Sequence, residues 1–302
     1  MSDLILISGL DALHRDRVRD FCLRSNRAVY AEPLSGLRED PALDKIRIRN
    51  ERMLSRGNFD SVIRVGNVPT LRFWRDLDAM AIPVSHYSDL PFAGMTRGEV
   101  KPIEELPKLA PAAQPDLAED REKFAAVQKI LDSEPKSELA MFRELSQKIP
   151  HGARIYLGNS LPIREWDLAA TREPRGFTIE ANRGANGIDG QLSTFFGWCK
   201  GANNWCIVGD LTALYDANAP WIVPQLDAQF EIAIINNGGG RIFSRVASLR
   251  RMDPGVRERL VENAHHLRFD KWAEMWGIKI QELIPDADAT RRAWEKYDAI
   301  WS

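Results

Sequence analysis

The sequence has few cysteines, no long apolar run and no excess of either charge, and each absence excludes a class of protein. Its three cysteines, Cys22, Cys199 and Cys206, have no CxxC spacing, so neither a disulfide framework nor a zinc knuckle is indicated. No apolar stretch approaches the ~20 residues that a membrane-spanning helix needs. Lys and Arg number 41 against 43 Asp and Glu, so no nucleic-acid-binding surface is indicated.

The first ten residues, MSDLILISGL, are apolar but lack a basic leading segment and a small-residue cleavage signal. They predict a first buried strand and not a signal peptide. With 44% hydrophobic and 28% charged residues, the composition is typical of a soluble globular protein, and we expect a cytoplasmic location. A chain of 302 residues can form one large domain or two ordinary ones.

Strand-like and helix-like segments alternate through the first hundred residues. A charged helical segment separates the first two of four segments that have strand length and apolar character. Such alternation predicts βαβ units and a parallel sheet covered on both faces. The four segments are LILIS (4–8), AVYAE (28–32), SVIRVGN (61–67) and IPVSHYS (82–88).

A second unit of the same kind follows a proline-containing segment. Residues 101–120 hold four prolines and little periodic hydrophobicity, which predicts an extended connector and a domain boundary near Pro115. We therefore expect a central α/β domain over residues 1–115 and a second domain over 116–302. Two helical patterns precede four strand-like segments there, so the predicted fold class is α/β with two doubly wound parallel-sheet domains. These strand-like segments are RIYLGN, GFTIEAN, NWCIVGD and FEIAIINN.

Each predicted strand of the second domain ends in Gly, Asn or Asp. Ligands of open parallel sheets bind outside the carboxyl ends of the strands. Glycine and asparagine also end strands for ordinary turn reasons, but four polar ends in succession indicate a binding site. The sequences at these ends are GNSLPIRE, ANRGANGIDG, GDLTALYD and NNGGGRIF.

Asp210 and Asn237 follow two of these strands, and the segment between them is long enough for a helical crossover. We therefore expect both residues at the same edge of the sheet, on neighbouring strands. A carboxylate, an amide oxygen and a loop carbonyl form half of an oxygen shell suited to Mg²⁺, which completes its octahedron with water and phosphate. The glycines allow close approach of a diphosphate and expose amide donors. The residues predict a magnesium–diphosphate site.

The spacing of this pair resembles the diphosphate-binding signature of thiamin-diphosphate enzymes, since Asn237 follows Asp210 by 27 positions. NSLPIRE, ANRGANGIDG, GDLTALYDANA and NNGGGRIF, with AEPLSGLR at 31–38, resemble the 2-succinyl-5-enolpyruvyl-6-hydroxy-3-cyclohexene-1-carboxylate synthase (MenD) family, from the first strand to about Gly277. The resemblance implies a transferase of menaquinone biosynthesis that uses thiamin diphosphate and Mg²⁺. Its reaction decarboxylates 2-oxoglutarate and adds the product to isochorismate.

The resemblance also implies roles for particular residues around the cofactor. Asp210, the Asn237 side chain and the Gly239 carbonyl match the magnesium ligands. Ile188 matches an apolar wedge beneath the cofactor, although an ordinary core isoleucine is the alternative. The loop against the diphosphate is matched by Gly209, Leu211 and Thr212.

Substrate contacts are implied in the same way. Arg164 and Arg183 match arginines that bind substrate carboxylates, with Ser160 beside them, and a planar guanidinium suits such groups. For Arg183 the alternative is a structural ion pair. Ile242 and Phe243 match apolar contacts to the isochorismate ring.

Three other features have simpler interpretations. His265 and His266 are adjacent and do not share a helical face, so we expect surface or capping residues and not a metal pair. The tryptophans near the end of the chain predict core packing. The basic run at 245–259 is either a solvated face or a mobile lid over acidic substrates.

Two departures from the family bear on activity. Family enzymes begin with a pyrimidine-binding domain whose glutamate contacts the aminopyrimidine ring, whereas Met1 here is already at the central domain, so no catalytic residue is identified. At the other end, we expect the chain to stop before a further family strand. Three interpretations follow: a subunit that needs a separate pyrimidine-domain polypeptide, within a homo-oligomer or not; an inactive remnant; or a non-catalytic binding module. The intact GD…NN spacing and both arginines, Arg164 and Arg183, favour the first over the third.

Overall fold

The computed structural model describes residues 3–57, 59–80, 82–91, 98–246 and 248–302. In these residues the strands form two sheets of five, and every strand pair is parallel. Helices flank both sheets, so the predicted α/β class with two doubly wound domains is confirmed. No helix within the described ranges is long and apolar enough to cross a membrane.

The first sheet is built on a fully buried central strand. Residues 4–7 are completely inaccessible to solvent, as expected for a parallel strand covered on both faces. The strand order is β2-β1-β3-β4-β5. The strands are β1 (Asp3–Ile7), β2 (Ala28–Ala31), β3 (Ser61–Val65), β4 (Val84–Tyr87) and β5 (Val100–Lys101), and the helices are α1 (Ala12–Ser25), α2 (Arg52–Arg56) and α3 (Phe73–Ala79).

Strand β5 lies where the sequence predicts the beginning of an extended connector. Val100 and Lys101 pair with β4, and a 3₁₀ turn follows at Ile103–Glu105. The connector prediction is therefore wrong at its start, because a two-residue edge strand has too little periodicity to be recognised. The next helix begins at Ala118, and the boundary between residues 115 and 116 stays a prediction.

The second sheet has the order β10-β9-β8-β6-β7. Its strands are β6 (Arg154–Leu157), β7 (Thr178–Glu180), β8 (Gly201–Gly209), β9 (Ala228–Ile235) and β10 (Ile280–Leu283). Its helices are α4 (Ala118–Ser133), α5 (Glu138–Lys148), α6 (Leu161–Ala169), α7 (Gln191–Trp198), α8 (Asp210–Tyr215), α9 (Pro254–Leu260), α10 (Asp270–Trp276) and α11 (Ala287–Ala299).

The last segment of the chain contributes a strand and a helix to the second domain. β10 pairs with β9 as a fifth strand, and α11 follows it with Ala289, Ala293 and Tyr297 buried. The tryptophans of this region pack against the apolar clusters on the two faces of the second sheet, so their interpretation as core residues is confirmed. They are Trp272, Trp276, Trp294 and Trp301.

Arg38, the last residue of the AEPLSGLR segment, joins the two domains. Its side chain is fully buried, and its Nη2 donates hydrogen bonds to the carbonyls of Trp166, Asp167 and Ala170, each at 3.0 Å. These carbonyls lie at the C-terminal end of α6, where the last carbonyls of a helix run out of intrahelical donors. The Trp166 carbonyl also accepts from the Ala170 amide and the Asp167 carbonyl from Arg172, so Arg38 adds donors to these two and supplies the donor to the Ala170 carbonyl.

We expect Arg38→Met to lower the free energy of unfolding by about 3–5 kcal/mol, because it removes a partner of the buried Asp167 carboxylate and the donor to the Ala170 and Thr171 carbonyls. Chemical denaturation followed by circular dichroism measures the change. Arg121→Met, at an exposed position of α4, is the matched control and should change stability by less than about 0.5 kcal/mol. Equal effects of the two substitutions would contradict the role given to Arg38.

Candidate functional site

A cleft opens at the carboxyl ends of the strands in the second sheet. β6 and β8 are neighbours in the sheet. The chain continues from β6 to β7 on one side and from β8 to β9 on the other, so it leaves the two neighbouring strands in opposite directions. Such a switch point is where open parallel sheets form a ligand crevice. We call the opening the switch-point cleft. It is lined by Glu138, Asn159–Pro162, Asn186–Ile188, Gly209–Thr212, Ile235, Asn237 and Gly239–Phe243.

Ten residues singled out from the sequence line this cleft together. They come from four different loops, far apart in the chain, so their convergence is a property of the fold. The roles assigned to them stay predictions. The ten are Ser160, Ile188, Gly209, Asp210, Leu211, Thr212, Asn237, Gly239, Ile242 and Phe243.

Asp210 is the first residue after β8, and Asn237 is the second residue after β9. The two strands are neighbours, with Gly209 opposite Ile235, so the expectation of adjacent strand ends is confirmed. The amides of Gly238 and Gly239 donate to Asp210 Oδ2 at 2.8 and 2.9 Å, and that of Leu211 donates to Oδ1 at 2.6 Å. Burial raises the pKa of Asp210, and these hydrogen bonds oppose the rise.

The two glycines beside Asp210 are required by the backbone. Gly238 and Gly239 have φ angles of +77° and +131°, which side-chain-bearing residues rarely adopt. A Cβ at Gly239 would also lie 2.6 Å from the carbonyl oxygen of Glu262. The loop can therefore turn its amides towards Asp210 only because glycine occupies both positions.

Asn237 holds a buried oxygen that has no partner within the described part of the chain. Its Nδ2 donates to Glu138, 3.0 Å from Oε1 and 3.2 Å from Oε2, while its Oδ1 is buried without a hydrogen bond. A buried acceptor of this kind is open to a ligand, an ion or a water molecule. The Gly239 carbonyl accepts from the Arg241 amide at 2.8 Å and keeps a second lone pair.

The donor set therefore fits Mg²⁺ in its chemistry, since Asp210, Asn237 and Gly239 offer hard oxygen atoms. No group of three or more His, Cys, Asp or Glu side chains suited to a metal occurs in the residues that the structure describes. The predicted set is of another kind, because it combines one carboxylate with an amide and a main-chain carbonyl. Magnesium binding stays a prediction.

Two buried carboxyl groups and an arginine lie behind Asn237. Glu138 and Glu165 are almost fully buried, and Arg245 Nη2 lies 3.3 Å from Glu165 Oε1. Burial raises the pKa of both carboxyl groups, and in Glu165 the neighbouring Glu138 charge raises it further. The Arg245 guanidinium covers the Trp294 ring, 3.2 Å from its centroid. Arg245 is therefore held among side chains of the fold. Both sequence interpretations of the basic run, a solvated face and a mobile lid, are wrong for this residue.

His265 is placed differently from the expectation of a surface residue. Its side chain is only 11% exposed, and Nε2 lies 3.3 Å from Asp210 Oδ2. The Leu267 amide donates to its Nδ1 at 3.2 Å. His266 is exposed, as expected. The prediction for His265 assumed helical geometry, but the segment between α9 and α10 has no helical structure at this point.

Arg164 lies in a second cleft that adjoins the first. Leu161 and Ile242 line both openings, and Arg164 Nη1 donates to the Ser160 carbonyl at 2.5 Å. The second cleft runs between the two domains and is rich in charge. Its lining includes Arg49, Arg52, Arg72, Arg164 and Arg245 with Glu51, Asp76, Glu165 and Asp167.

Arg183 lines neither cleft but joins the loop after β6 to the first domain. It donates through Nη1 to Asn159 Oδ1 at 2.8 Å and through Nη2 to the Pro69 carbonyl at 3.3 Å. The neighbouring Thr70 amide donates to both carboxylate oxygens of Glu32 at 2.9 Å. In this structure Arg183 therefore bridges two loops, and its contact with a substrate stays a prediction.

Comparisons with known proteins agree on one family, although no family model matches the sequence. The 2-succinyl-5-enolpyruvyl-6-hydroxy-3-cyclohexene-1-carboxylate synthase of Bdellovibrio bacteriovorus is 35% identical over 338 aligned positions, which cover 99% of this chain and 62% of that protein. The synthase of the same name from Akkermansia muciniphila is 35% identical and covers 96% of this chain and 60% of its own length. That of Roseiflexus sp. is 34% identical over 57% of this chain.

The fold and the cleft define an α/β protein with a ligand crevice at the switch point of a parallel sheet. The chain belongs to the 2-succinyl-5-enolpyruvyl-6-hydroxy-3-cyclohexene-1-carboxylate synthase family. It spans about 60% of the length of the Bdellovibrio and Akkermansia synthases, each of which matches nearly all of it. Because the first alignment covers 99% of the chain, the expectation that the resemblance ends near Gly277 is wrong.

Proposed function

We propose that this chain carries the magnesium- and diphosphate-binding part of a synthase that decarboxylates 2-oxoglutarate and adds the product to isochorismate. The observation that supports this most is the convergence of the predicted cofactor residues, Asp210 and Asn237 among them, in the switch-point cleft. Membership of the synthase family supports the choice of reaction and of thiamin diphosphate as cofactor. Transferase activity in menaquinone biosynthesis and a cytoplasmic location belong to the same proposal.

The chain's own residues would hold the cofactor by its charged end. Asp210, Asn237 Oδ1 and the Gly239 carbonyl would bind Mg²⁺, and the loop at 209–212 would lie against the diphosphate. Ile188, half-buried at the edge of the cleft, would support the bent cofactor. When bound, thiamin diphosphate supplies the carbanion chemistry, while the protein binds, orients and shields it.

Substrate carboxylates would be bound beside this position. Arg164 and Ser160 are in contact next to the switch-point cleft, and the adjoining cleft contains further arginines. Both proposed substrates carry two carboxylates, which a planar guanidinium binds through paired hydrogen bonds. Ile242, which lines both clefts, and Phe243, at the rim of the first, offer apolar surface for a ring.

Calorimetric titration tests the cofactor proposal directly. Thiamin diphosphate is titrated into the chain with Mg²⁺ and with EDTA, first alone and then with a polypeptide that carries the part of the relatives' length that this chain does not match. We expect binding only with Mg²⁺, and tighter binding in the mixture because the pyrimidine ring then gains contacts. Absence of magnesium-dependent binding in both samples would overturn the proposal.

We expect Arg164→Lys and Arg183→Lys each to weaken substrate engagement by about 1.5–3 kcal/mol, because lysine keeps the charge but cannot form paired hydrogen bonds. Thiamin diphosphate affinity should change little. The KM for 2-oxoglutarate in the mixture and the calorimetric cofactor affinity measure the two effects, with the exposed Arg121→Lys as control. Loss of cofactor affinity in both variants would contradict the assignment.

A further inference from the structure

The orientation of the Asn237 amide is set by one buried side chain. Asn237 Nδ2 lies within hydrogen-bond distance of both carboxylate oxygens of Glu138, at 3.0 and 3.2 Å. A carboxylate accepts hydrogen bonds, so the NH₂ end of the amide must face Glu138. The Oδ1 end is then directed away from Glu138, and it is buried without a partner in the described residues.

Glu138 is itself held firmly in place. It is the first residue of α5, whose N-cap Ser137 accepts a hydrogen bond from the Ala140 amide. The Glu138 amide donates to Thr290 Oγ1 at 3.0 Å, which ties this end of α5 to α11. The Glu138 carboxyl group is also hydrogen-bonded to Glu165, and Arg245, 3.3 Å from Glu165, supplies a favourable charge nearby.

We propose that Glu138 is a positioning residue for the metal site, which fixes the Asn237 amide so that Oδ1 is presented to Mg²⁺. The inference rests on the proposed function, because it takes Asn237 as a ligand. Partners that orient a metal ligand typically matter 10–100-fold for metal affinity. Glu138 lines the switch-point cleft, and no sequence motif assigns it a role.

The chemical reason is that the oxygen and NH₂ ends of an amide have similar shapes but opposite hydrogen-bonding properties. Without an acceptor on one side, the Asn237 side chain can rotate by half a turn and present NH₂, which cannot bind a cation. It can also leave the cleft altogether. With Glu138 in place, rotation would put Oδ1 against two carboxylate oxygens, which repel it. Glu138 therefore selects the one orientation that leaves an oxygen available to the metal.

The test is Mg²⁺ titration of the full chain at saturating thiamin diphosphate, followed by calorimetry. We expect Glu138→Ala to raise the Mg²⁺ dissociation constant by about 10–100-fold. Glu138→Gln keeps one acceptor oxygen in a side chain of the same shape, so its loss should be smaller than that of the alanine variant. Glu122→Ala, at an exposed position of α4, is the matched control and should leave the constant unchanged.

A double-mutant cycle separates positioning from general support of the fold. In an Asn237→Ala background, Glu138 has no ligand to orient, so Glu138→Ala should cause no further loss of Mg²⁺ affinity. Additive losses would mean that Glu138 acts on the fold and not through Asn237, and would overturn the inference. If the Glu138→Ala chain does not fold, the cycle is run with Glu138→Gln. Any loss that the Gln variant shows should then vanish in the Asn237→Ala background, and a loss that persists there would overturn the inference.

Failure of the inference differs visibly from failure of the proposed function. If the unmodified chain binds no Mg²⁺ with thiamin diphosphate, alone or in the mixture, the cofactor site itself is wrong. If the unmodified chain and the Glu138→Ala chain bind Mg²⁺ equally well, the site stands and only the positioning role of Glu138 is wrong.

Discussion

Asp210→Ala is expected to abolish magnesium-dependent binding of thiamin diphosphate. Asp210 is the only charged side chain in the proposed ligand set, and Asn237 and Gly239 contribute neutral oxygens that Mg²⁺ does not hold without a carboxylate. The substitution also removes the acceptor for the amides of Gly238 and Gly239, which leaves the glycine loop without its anchor. Calorimetric titration with and without Mg²⁺ measures the loss.

Two further variants show which property of Asp210 matters. Asp210→Asn keeps an acceptor oxygen for the loop but removes the charge, so it should retain the fold and still lose most of the Mg²⁺ affinity. Asp227→Ala removes an exposed carboxylate outside the cleft lining and serves as the control. Cofactor affinity in Asp210→Ala equal to that in Asp227→Ala would show that the diphosphate site lies elsewhere.

The sequence predicted four of the five strands of the second sheet and the convergence of their ends for a simple physical reason. An apolar run that ends in Gly-Asp or Asn-Asn-Gly identifies both a buried parallel strand and the edge at which it stops. Because parallel neighbours end at the same edge, the sequence alone predicts that Asp210 and Asn237 lie close together. The register of β8 against β9 confirms that step.

Local sequence patterns do not reveal residues whose roles depend on tertiary contacts. Glu138 lies in the first turn of a helix, where a glutamate is common for its favourable interaction with the helix dipole, and nothing local marks it as buried. Glu165 and Arg245 are 80 positions apart and meet only in the folded chain. His265 reaches Asp210 from a segment without regular structure, which no periodicity reveals.

Strand β10 was not predicted from the sequence for a different reason. It has only four residues, of which Gln281 and Glu282 are polar, and it lies at the edge of the sheet where alternation is weak. Pairing with the longer β9 stabilises it, so its existence depends on a neighbour and not on its own sequence.

The second large effect is expected in catalysis. With 2-oxoglutarate and isochorismate, the chain alone should form no product, and addition of a polypeptide that carries the unmatched part of the relatives' length should restore turnover. The resemblance assigns to that part the glutamate that assists cofactor activation, and such acid–base assistance typically contributes 10²–10⁴-fold to rate. Product formation is measured for each polypeptide alone and for the mixture.

The surface around the cleft gives a reason to expect that the two parts associate. Phe243 and Val246 are exposed by 38% and 37%, and they line the same two clefts as the half-buried Ile188 and Ile242. Contiguous exposed apolar surface commonly marks an interface. A mixture in which this chain carries Asp210→Ala should stay inactive, which ties the restored turnover to the switch-point cleft. Full activity of the chain by itself would contradict the division of the site and place the activating group among its own residues.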